Sequence, residues 1–151
     1  MSDHTYTTAL EWSGSTGAGY RGYDRDHTLG LGGQNRLVAS ADAAFRGDGR
    51  LPNPEQLLVA AASSCQLLSF LAVAALAGVD VVGYEDEATG RMPEGEAPMR
   101  LTEIELRPVI RVRGADAGAV AALVERAHNE CYIARSLSGV VRVTPRIEVL
   151  P

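Results

Sequence analysis

The sequence predicts an α+β fold in a single domain over residues 1–151. Segments with strand character come in groups and are not interleaved singly with helices, which favours α+β over α/β. The predicted order is ββ(β)-α-ββ-α-β. A chain of 151 residues is about the length of one domain, and its 46% hydrophobic and 22% charged residues are typical of a globular protein that buries a core.

The first forty residues predict β-strands. Residues Thr5 to Trp12 and Tyr20 to Leu31 contain many Thr, Tyr and Trp or apolar residues, and residues Leu37 to Ser40 continue as a third strand. Between the last two, Gly32-Gly33 is a typical hairpin turn pair.

A long helix follows, with a clear start. Asn53 is a good N-cap, Pro54 suits the first helical position, and Gln56 completes a box-like capping pattern. The helix is expected to run to about Ala77 and to stop at Gly78. It has no charged residue from Gln56 to Val79, a length that could span a bilayer. Polar residues interrupt it and no aromatic belt flanks it, so we expect a central helix buried on most sides rather than a membrane span.

The remaining elements follow from periodicity. Residues Leu101 to Val112 alternate and predict one half-buried strand, in which Pro108 indicates an edge or a bulge. Its predicted buried face carries Ile104, Leu106, Ile110 and Val112. The other expected elements are a strand from Val79 to Thr89, an amphipathic helix from Asp116 to His128, a short helix from Cys131 through Ser136 and a final strand from Val140 to Leu150.

Charge and composition exclude several functional classes. The net charge is −5 and there is no run of basic residues, so the chain lacks the basic surface that nucleic-acid binding needs. No signal-peptide pattern is visible near Met1, and a reducing cytoplasm is the expected location. In such a compartment a cysteine pair is more often catalytic, redox-sensing or metal-binding than a permanent disulfide.

The chain has two cysteines, Cys65 and Cys131, which could form a structural disulfide, two inert core thiols or a redox pair. Cys65 lies in the apolar helix and is expected to be buried. Cys131 has polar neighbours and is expected near solvent at a helix N-terminus, which would lower its pKa. His128 precedes Cys131 by three residues, so a Cys-His hydrolase is a weaker option beside a solvated histidine. Two isolated cysteines and three scattered histidines do not supply a zinc site.

Together these segments resemble a known family. The run Asn53-Pro54-Glu55-Gln56-Leu57-Leu58, then Cys65, then Ala127-His128-x-x-Cys131 and a final strand is similar to the OsmC/Ohr family of thiol peroxidases. The resemblance covers nearly the whole chain, and the spacing from Glu55 to Cys65 and on to Cys131 makes it specific.

The resemblance implies an OsmC-like fold, with antiparallel sheets around a long buried central helix, in an intertwined homodimer. It implies that Cys65 is the peroxidatic thiol and Cys131 the resolving thiol, and that the substrate is an organic hydroperoxide. Glu55 and an arginine would orient and activate Cys65; Arg46 is slightly favoured over Arg25 for that role. The expected reductant is a dithiol such as a lipoyl protein, and no metal, flavin or other cofactor is expected.

Helix geometry adds a constraint on Glu55. If Glu55 and Cys65 share a continuous helix, ten residues separate them by about 15 Å along its axis. Either the helix breaks, or Glu55 serves the cysteine of a second subunit; we adopt the second as a hypothesis. The rival function is a redox-sensing or small apolar ligand-binding protein of the same family, without efficient turnover.

Overall fold

The computed structural model describes residues 2–95 and 97–151. The fold is α+β, as predicted, with sheets and a long helix. Its contacts divide the chain into two compact units, one up to Leu57 and one over Leu58–Pro151. The single domain over residues 1–151 stays a prediction.

The first unit contains a three-stranded antiparallel sheet. Its strands are β1 (Ala9–Glu11), β2 (His27–Gly30) and β3 (Arg36–Ala39), in the order β1-β2-β3. The predicted hairpin is confirmed: Gly32 and Gly33 both have positive φ in the turn between β2 and β3. β1 and β2 are shorter than the predicted strands, because residues 5–8 have no regular structure and residues 20–22 form a turn.

The long helix α1 spans Pro54–Leu76 and begins as predicted. The Gln56 backbone N–H donates to Asn53 Oδ1 at 2.8 Å, and the Asn53 N–H donates to Gln56 Oε1 at 3.1 Å, which closes a capping box. At the other end, Gly78 has φ of 72° and ends the helix in a conformation that favours glycine.

The second unit contains two three-stranded sheets, formed by the strands that follow α1. One sheet has the order β4-β7-β9 and the other β5-β6-β8. Both are mixed, because β6 pairs with β8 and β7 with β9 in parallel, whereas the sequence predicted antiparallel sheets. The strands are β4 (Asp80–Asp86), β5 (Thr89–Arg91), β6 (Glu103–Leu106), β7 (Pro108–Arg113), β8 (Val140–Val143) and β9 (Arg146–Leu150).

Two of the predicted long strands are therefore each divided between the two sheets. The strand predicted over Leu101 to Val112 breaks at Arg107, and the final strand breaks between Val143 and Arg146. Pro108 marks neither an edge strand nor a bulge: it is the first residue of β7, which is central in its sheet. A proline is tolerated at a first position because its missing N–H lies where the ladder begins.

The predicted alternation of β6 and β7 survives the break. The four apolar side chains of the predicted face are all buried: Ile104, Leu106, Ile110 and Val112. They contribute to two clusters. Ile110 and Val112 pack with Phe70 and Val73 of α1 and with the apolar face of α2 (Ala117–Glu130), and Ile104 and Leu106 pack with Ala62. A short helix α3 (Tyr132–Ser136) follows α2, as predicted.

Helix α1 is not buried on most sides within one chain, which corrects the prediction. The buried residues lie along one face, namely Ala62, Gln66, Phe70, Val73 and Ala74. Leu68 and Leu76 are 63% and 83% exposed. The helix is long and apolar enough to cross a membrane by length and composition, but a core helix of a soluble protein passes the same test. The prediction failed because an alanine-rich sequence does not show which sides have a partner.

Candidate functional site

The two cysteines meet within the second unit. Cys65 lies on α1, and Cys131 lies between α2 and α3, as the C-cap of one and the N-cap of the other. Both are free thiols, and the Cys65 side chain contributes to the raised pKa of Cys131, so the two thiols are neighbours. Two residues 66 positions apart in sequence are thus brought close to each other in the fold.

The exposure of the two thiols is the reverse of the prediction. Cys131 is 1% exposed, whereas Cys65 is partly accessible. Cys131 is buried because it extends the apolar stripe of α2: Val120, Val124 and Ala127 precede it at helical spacing and are all buried. The same stripe is visible in the sequence, but the polar residues next to Cys131 led to the prediction of an exposed thiol.

The environment of Cys131 also reverses its predicted acidity. Burial raises the pKa of the Cys131 thiol, and the neighbouring Cys65 thiol raises it further. The backbone N–H groups of Ala134 and Ile133, at the start of α3, act in the opposite direction and lower the pKa. The pKa is nevertheless raised, so burial and Cys65 together outweigh these two N–H groups. At neutral pH Cys131 is therefore held as the thiol.

A carboxylate of β4 hydrogen-bonds to α1 two residues before Cys65. Asp86, the last residue of β4, accepts a hydrogen bond from Ser63 Oγ at 2.5 Å and one from the Arg107 backbone N–H at 2.7 Å. The second bond satisfies the N–H at the point where β6 gives way to β7. The sequence gave no sign of this contact, because Ser63 and Asp86 are 23 residues apart and each is ordinary in its own segment.

Three buried polar atoms of the described residues have no hydrogen-bond partner: Gln66 Oε1, the Tyr84 hydroxyl and His128 Nδ1. Gln66 directly follows Cys65 and is fully buried, with its Nε2 donating to the Val124 carbonyl at 3.3 Å. His128 is half-buried rather than solvated. Buried polar groups without partners are uncommon and call for an explanation.

The two candidate arginines lie in the first unit, and both approach Tyr20. The Arg25 guanidinium lies 3.9 Å from the Tyr23 ring centroid and 4.9 Å from that of Tyr20. It also donates to the backbone carbonyls of Tyr20 at 2.7 Å and Tyr23 at 2.9 Å. The Arg46 guanidinium lies 5.9 Å from the Tyr20 ring. Arg25 is thus the more firmly held of the two, and the slight preference for Arg46 as the activating residue stays a prediction.

Arg46 stands in an unusual backbone position. It ends a short 3₁₀ helix (Ala43–Phe45) with φ of 69°, a left-handed conformation that favours glycine. The next residue has to be glycine, because a Cβ on Gly47 would lie 1.7 Å from the Ala41 carbonyl oxygen. The backbone around Arg46 is therefore closely specified.

Glu55 lies in the first turn of α1 and is half-buried. The helix runs without a break from Pro54 to Leu76, so the alternative in which the helix breaks between Glu55 and Cys65 is wrong. Among residues 2–95 and 97–151, no group of three or more His, Cys, Asp or Glu side chains could hold a metal ion.

Comparisons with known proteins agree with the fold. Residues 47–146 match the model of the OsmC-like protein family. An OsmC-like protein of unknown function from Vibrio cholerae is 25% identical with a TM-score of 0.85, over 95% of this chain and 99% of that one. An organic hydroperoxide resistance protein OsmC from Legionella pneumophila is 19% identical with a TM-score of 0.65, over 97% and 99%.

The organic hydroperoxide resistance protein OhrB of Bacillus subtilis is likewise 19% identical, with a TM-score of 0.62, over 96% of this chain and 98% of that one. A comparison with curated protein sequences gives no match. The family model covers about two thirds of the chain and includes both cysteines. On this match, with the sheets and the long helix described above, the chain belongs to the OsmC-like protein family.

Proposed function

We propose that this protein is a thiol-dependent peroxidase that reduces organic hydroperoxides to alcohols. The observation that carries the proposal is that a partly accessible thiol, Cys65, and a buried one, Cys131, are neighbours in the fold. The accessible thiol can meet a substrate, and the buried thiol is held where it can only react with its neighbour.

The cycle has three balanced steps. The Cys65 thiolate attacks the distal oxygen of the hydroperoxide, the O–O bond breaks, and the alkoxide takes a proton and leaves as the alcohol; Cys65 becomes a sulfenic acid. The Cys131 sulfur then attacks the Cys65 sulfur, forming a disulfide and releasing water. A dithiol reductant reopens the disulfide by exchange and is itself oxidised to a disulfide. The cycle needs no bound cofactor, and a reducing cytoplasm suits it.

The surface of α1 around Cys65 favours an organic substrate. Leu58 and Leu68 lie seven residues before and three residues after Cys65, on the same side of the helix, and are 37% and 63% exposed. An alkyl or aryl tail that covered them would gain about 25 cal/mol for each Å² of apolar surface buried. Hydrogen peroxide has no such tail.

We also propose that a second copy of the chain covers the exposed side of α1 and completes the site. In that homodimer, Glu55 of one subunit, with Arg25 or Arg46, orients and activates Cys65 of the other. The unbroken helix supports this assignment, because Glu55 cannot reach the cysteine of its own helix. Mixing Glu55→Ala chains with Cys65→Ser chains should restore part of the activity that each homodimer lacks; no recovery would contradict the shared site.

A steady-state assay tests the proposed activity. Wild-type protein with cumene hydroperoxide and dihydrolipoamide should turn over many times, and one equivalent of peroxide without reductant should convert both thiols to the Cys65–Cys131 disulfide. Cys65→Ser should be inactive, and Cys131→Ser should stop at a sulfenic acid that dimedone traps. If wild-type protein consumes one equivalent and then stops with reductant present, it is a redox sensor. If both thiols survive, the peroxidase proposal is wrong.

A further inference from the structure

Gln66 is a fully buried amide on α1 that the reaction described above does not use. It directly follows Cys65 in the chain. Its Nε2 donates to the backbone carbonyl of Val124 on α2 at 3.3 Å, whereas its Oε1 is buried without a partner. A methionine is similar in length and would leave no acceptor unsatisfied, so filling space does not account for the amide at this position.

The Gln66 hydrogen bond joins the helices on which the two thiols depend. Val124 lies on the buried face of α2, and Cys131 continues that face as the C-cap of the helix. The seven residues from Val124 to Cys131 correspond to about 10 Å along a helix axis. The bond therefore ties α1, at the residue next to Cys65, to a point on α2 two turns before Cys131.

The apolar contacts of these two helices do not by themselves fix how one lies along the other. Apart from Phe70 and Gln66, the side chains that α1 and α2 bury are all alanine or valine. Contacts between small apolar side chains have no direction, so a slide of one residue, about 1.5 Å, changes little apolar burial. A hydrogen bond to one particular carbonyl breaks on such a slide. A single buried polar side chain fixes the register of helices in coiled coils in the same way.

We propose that Gln66 is a positioning residue that fixes the register of α1 against α2 and thereby keeps Cys65 and Cys131 aligned for disulfide formation. A disulfide requires Cβ atoms about 3.5–4.5 Å apart, so a slide of one residue is enough to prevent it. The part of Gln66 in the catalytic cycle rests on the proposed peroxidase function; the alignment of the two thiols does not.

The step that Gln66 assists is the closing of the disulfide. The Cys131 sulfur attacks the sulfur of the Cys65 sulfenic acid, the S–S bond forms and the S–O bond breaks. The departing hydroxyl takes the proton of the Cys131 thiol and leaves as water. A fixed register increases the fraction of molecules in which the two sulfurs meet in the right geometry, and so raises the effective concentration of one thiol at the other.

The first test measures that effective concentration without peroxide. The protein is equilibrated with mixtures of reduced and oxidised glutathione, and its dithiol and disulfide forms are counted by mass after alkylation. Gln66→Met should lower the effective concentration about three- to tenfold, the range expected for the loss of one hydrogen bond between neutral groups. An unchanged value in Gln66→Met overturns the proposal.

The matched control is Ser63→Ala, which separates positioning from general stability. It also removes a side-chain hydrogen bond of α1 close to Cys65, but the partner of Ser63 is Asp86 on β4 and not the helix that leads to Cys131. Ser63→Ala should lower the free energy of unfolding and keep the wild-type effective concentration. An equal fall in Ser63→Ala and Gln66→Met would show that any loosening of α1 has this effect, and would overturn the specific role of Gln66.

A second test needs no substitution and therefore does not depend on the folding of a variant. In ¹⁵N-labelled wild-type protein, one side-chain amide proton of Gln66 should exchange with solvent many times more slowly than those of Gln34, which is exposed in the hairpin between β2 and β3. The slow exchange should be present in both the dithiol and the disulfide form. Exchange of the Gln66 amide as fast as that of Gln34 overturns the proposal.

A third test places Gln66 in the cycle. With one equivalent of cumene hydroperoxide, Gln66→Met should form the Cys65 sulfenic acid at the wild-type rate and close the disulfide about three- to tenfold more slowly, so that dimedone traps more of the intermediate. Closure at the wild-type rate contradicts the role in the cycle. If wild-type Cys65 is not oxidised at all, the peroxidase proposal fails, and the glutathione measurement still decides whether Gln66 aligns the thiols.

Discussion

Replacing Asp86 tests whether one carboxylate holds α1 to the sheets beside the thiol pair. Asp86→Ala removes the acceptor of the Ser63 Oγ hydrogen bond at 2.5 Å and of the Arg107 N–H hydrogen bond at 2.7 Å. The first contact joins α1 to β4 two residues before Cys65. The second satisfies the backbone at the break between β6 and β7.

The magnitude follows from those two bonds. A hydrogen bond to a charged group contributes about 1.5–3 kcal/mol. Asp86 is only half-buried and Arg107 is exposed, so solvent can partly replace both contacts and the lower value applies to each. We expect Asp86→Ala to lower the free energy of unfolding by about 3 kcal/mol. Ser63→Ala, which leaves the Arg107 contact in place, should cost about half as much.

Urea unfolding followed by circular dichroism measures these changes, at one fixed protein concentration because a dimer couples stability to concentration. The matched control is Asp80→Ala at the other end of β4. Asp80 is 61% exposed at its side chain and has an ion pair with Arg113 at 3.9 Å, so its loss should change stability by less than about 0.5 kcal/mol. Equal effects of Asp86→Ala and Asp80→Ala would refute the anchoring role.

Two further predictions concern Cys131 and Arg46. Because burial raises the pKa of Cys131, the folded protein keeps this proton at a pH where the unfolded chain loses it. The free energy of unfolding should therefore fall as the pH rises above about 8.5. In denaturant titrations from pH 7 to 10, Cys131→Ala should remove this part of the decline, and Cys65→Ala should retain more of it. Arg46→Gly should be more stable than Arg46→Ala by about 1 kcal/mol, because φ at this position is 69°. Both variants lose the guanidinium and should therefore have the same peroxidase rate. Equal thermal stability of the two variants would exclude backbone strain at Arg46.

Local signals predicted the individual elements well. The cap at Asn53 and the stop at Gly78 fixed both ends of α1, because each end is decided by residues within one turn of it. The alternation of Ile104, Leu106, Ile110 and Val112 identified a buried face correctly, since period-two spacing survives a break in the strand. What it did not reveal was the break itself, which depends on Asp86 and on which sheet each half joins.

The candidate site, too, was predicted from the sequence only in part. The spacing of Glu55, Cys65 and Cys131 identified the family, and the structure brings the two cysteines together. The roles of Glu55, Arg25 and Arg46 stay predictions. The sequence did not predict the buried hydroxyl of Tyr84, because a tyrosine in a strand is ordinary and only the fold shows that this atom has no partner.

The sequence by itself determined the α+β class, the ends of the long helix, the buried face of the split strand and the family, because each depends on residues that are near neighbours in the chain or on a specific motif. The tertiary structure alone decided which thiol is exposed. Cys131 is 1% exposed and Cys65 is partly accessible, although Cys65 lies in the more apolar stretch of sequence. Burial of a thiol is set by what packs over it, and that is a property of the whole fold.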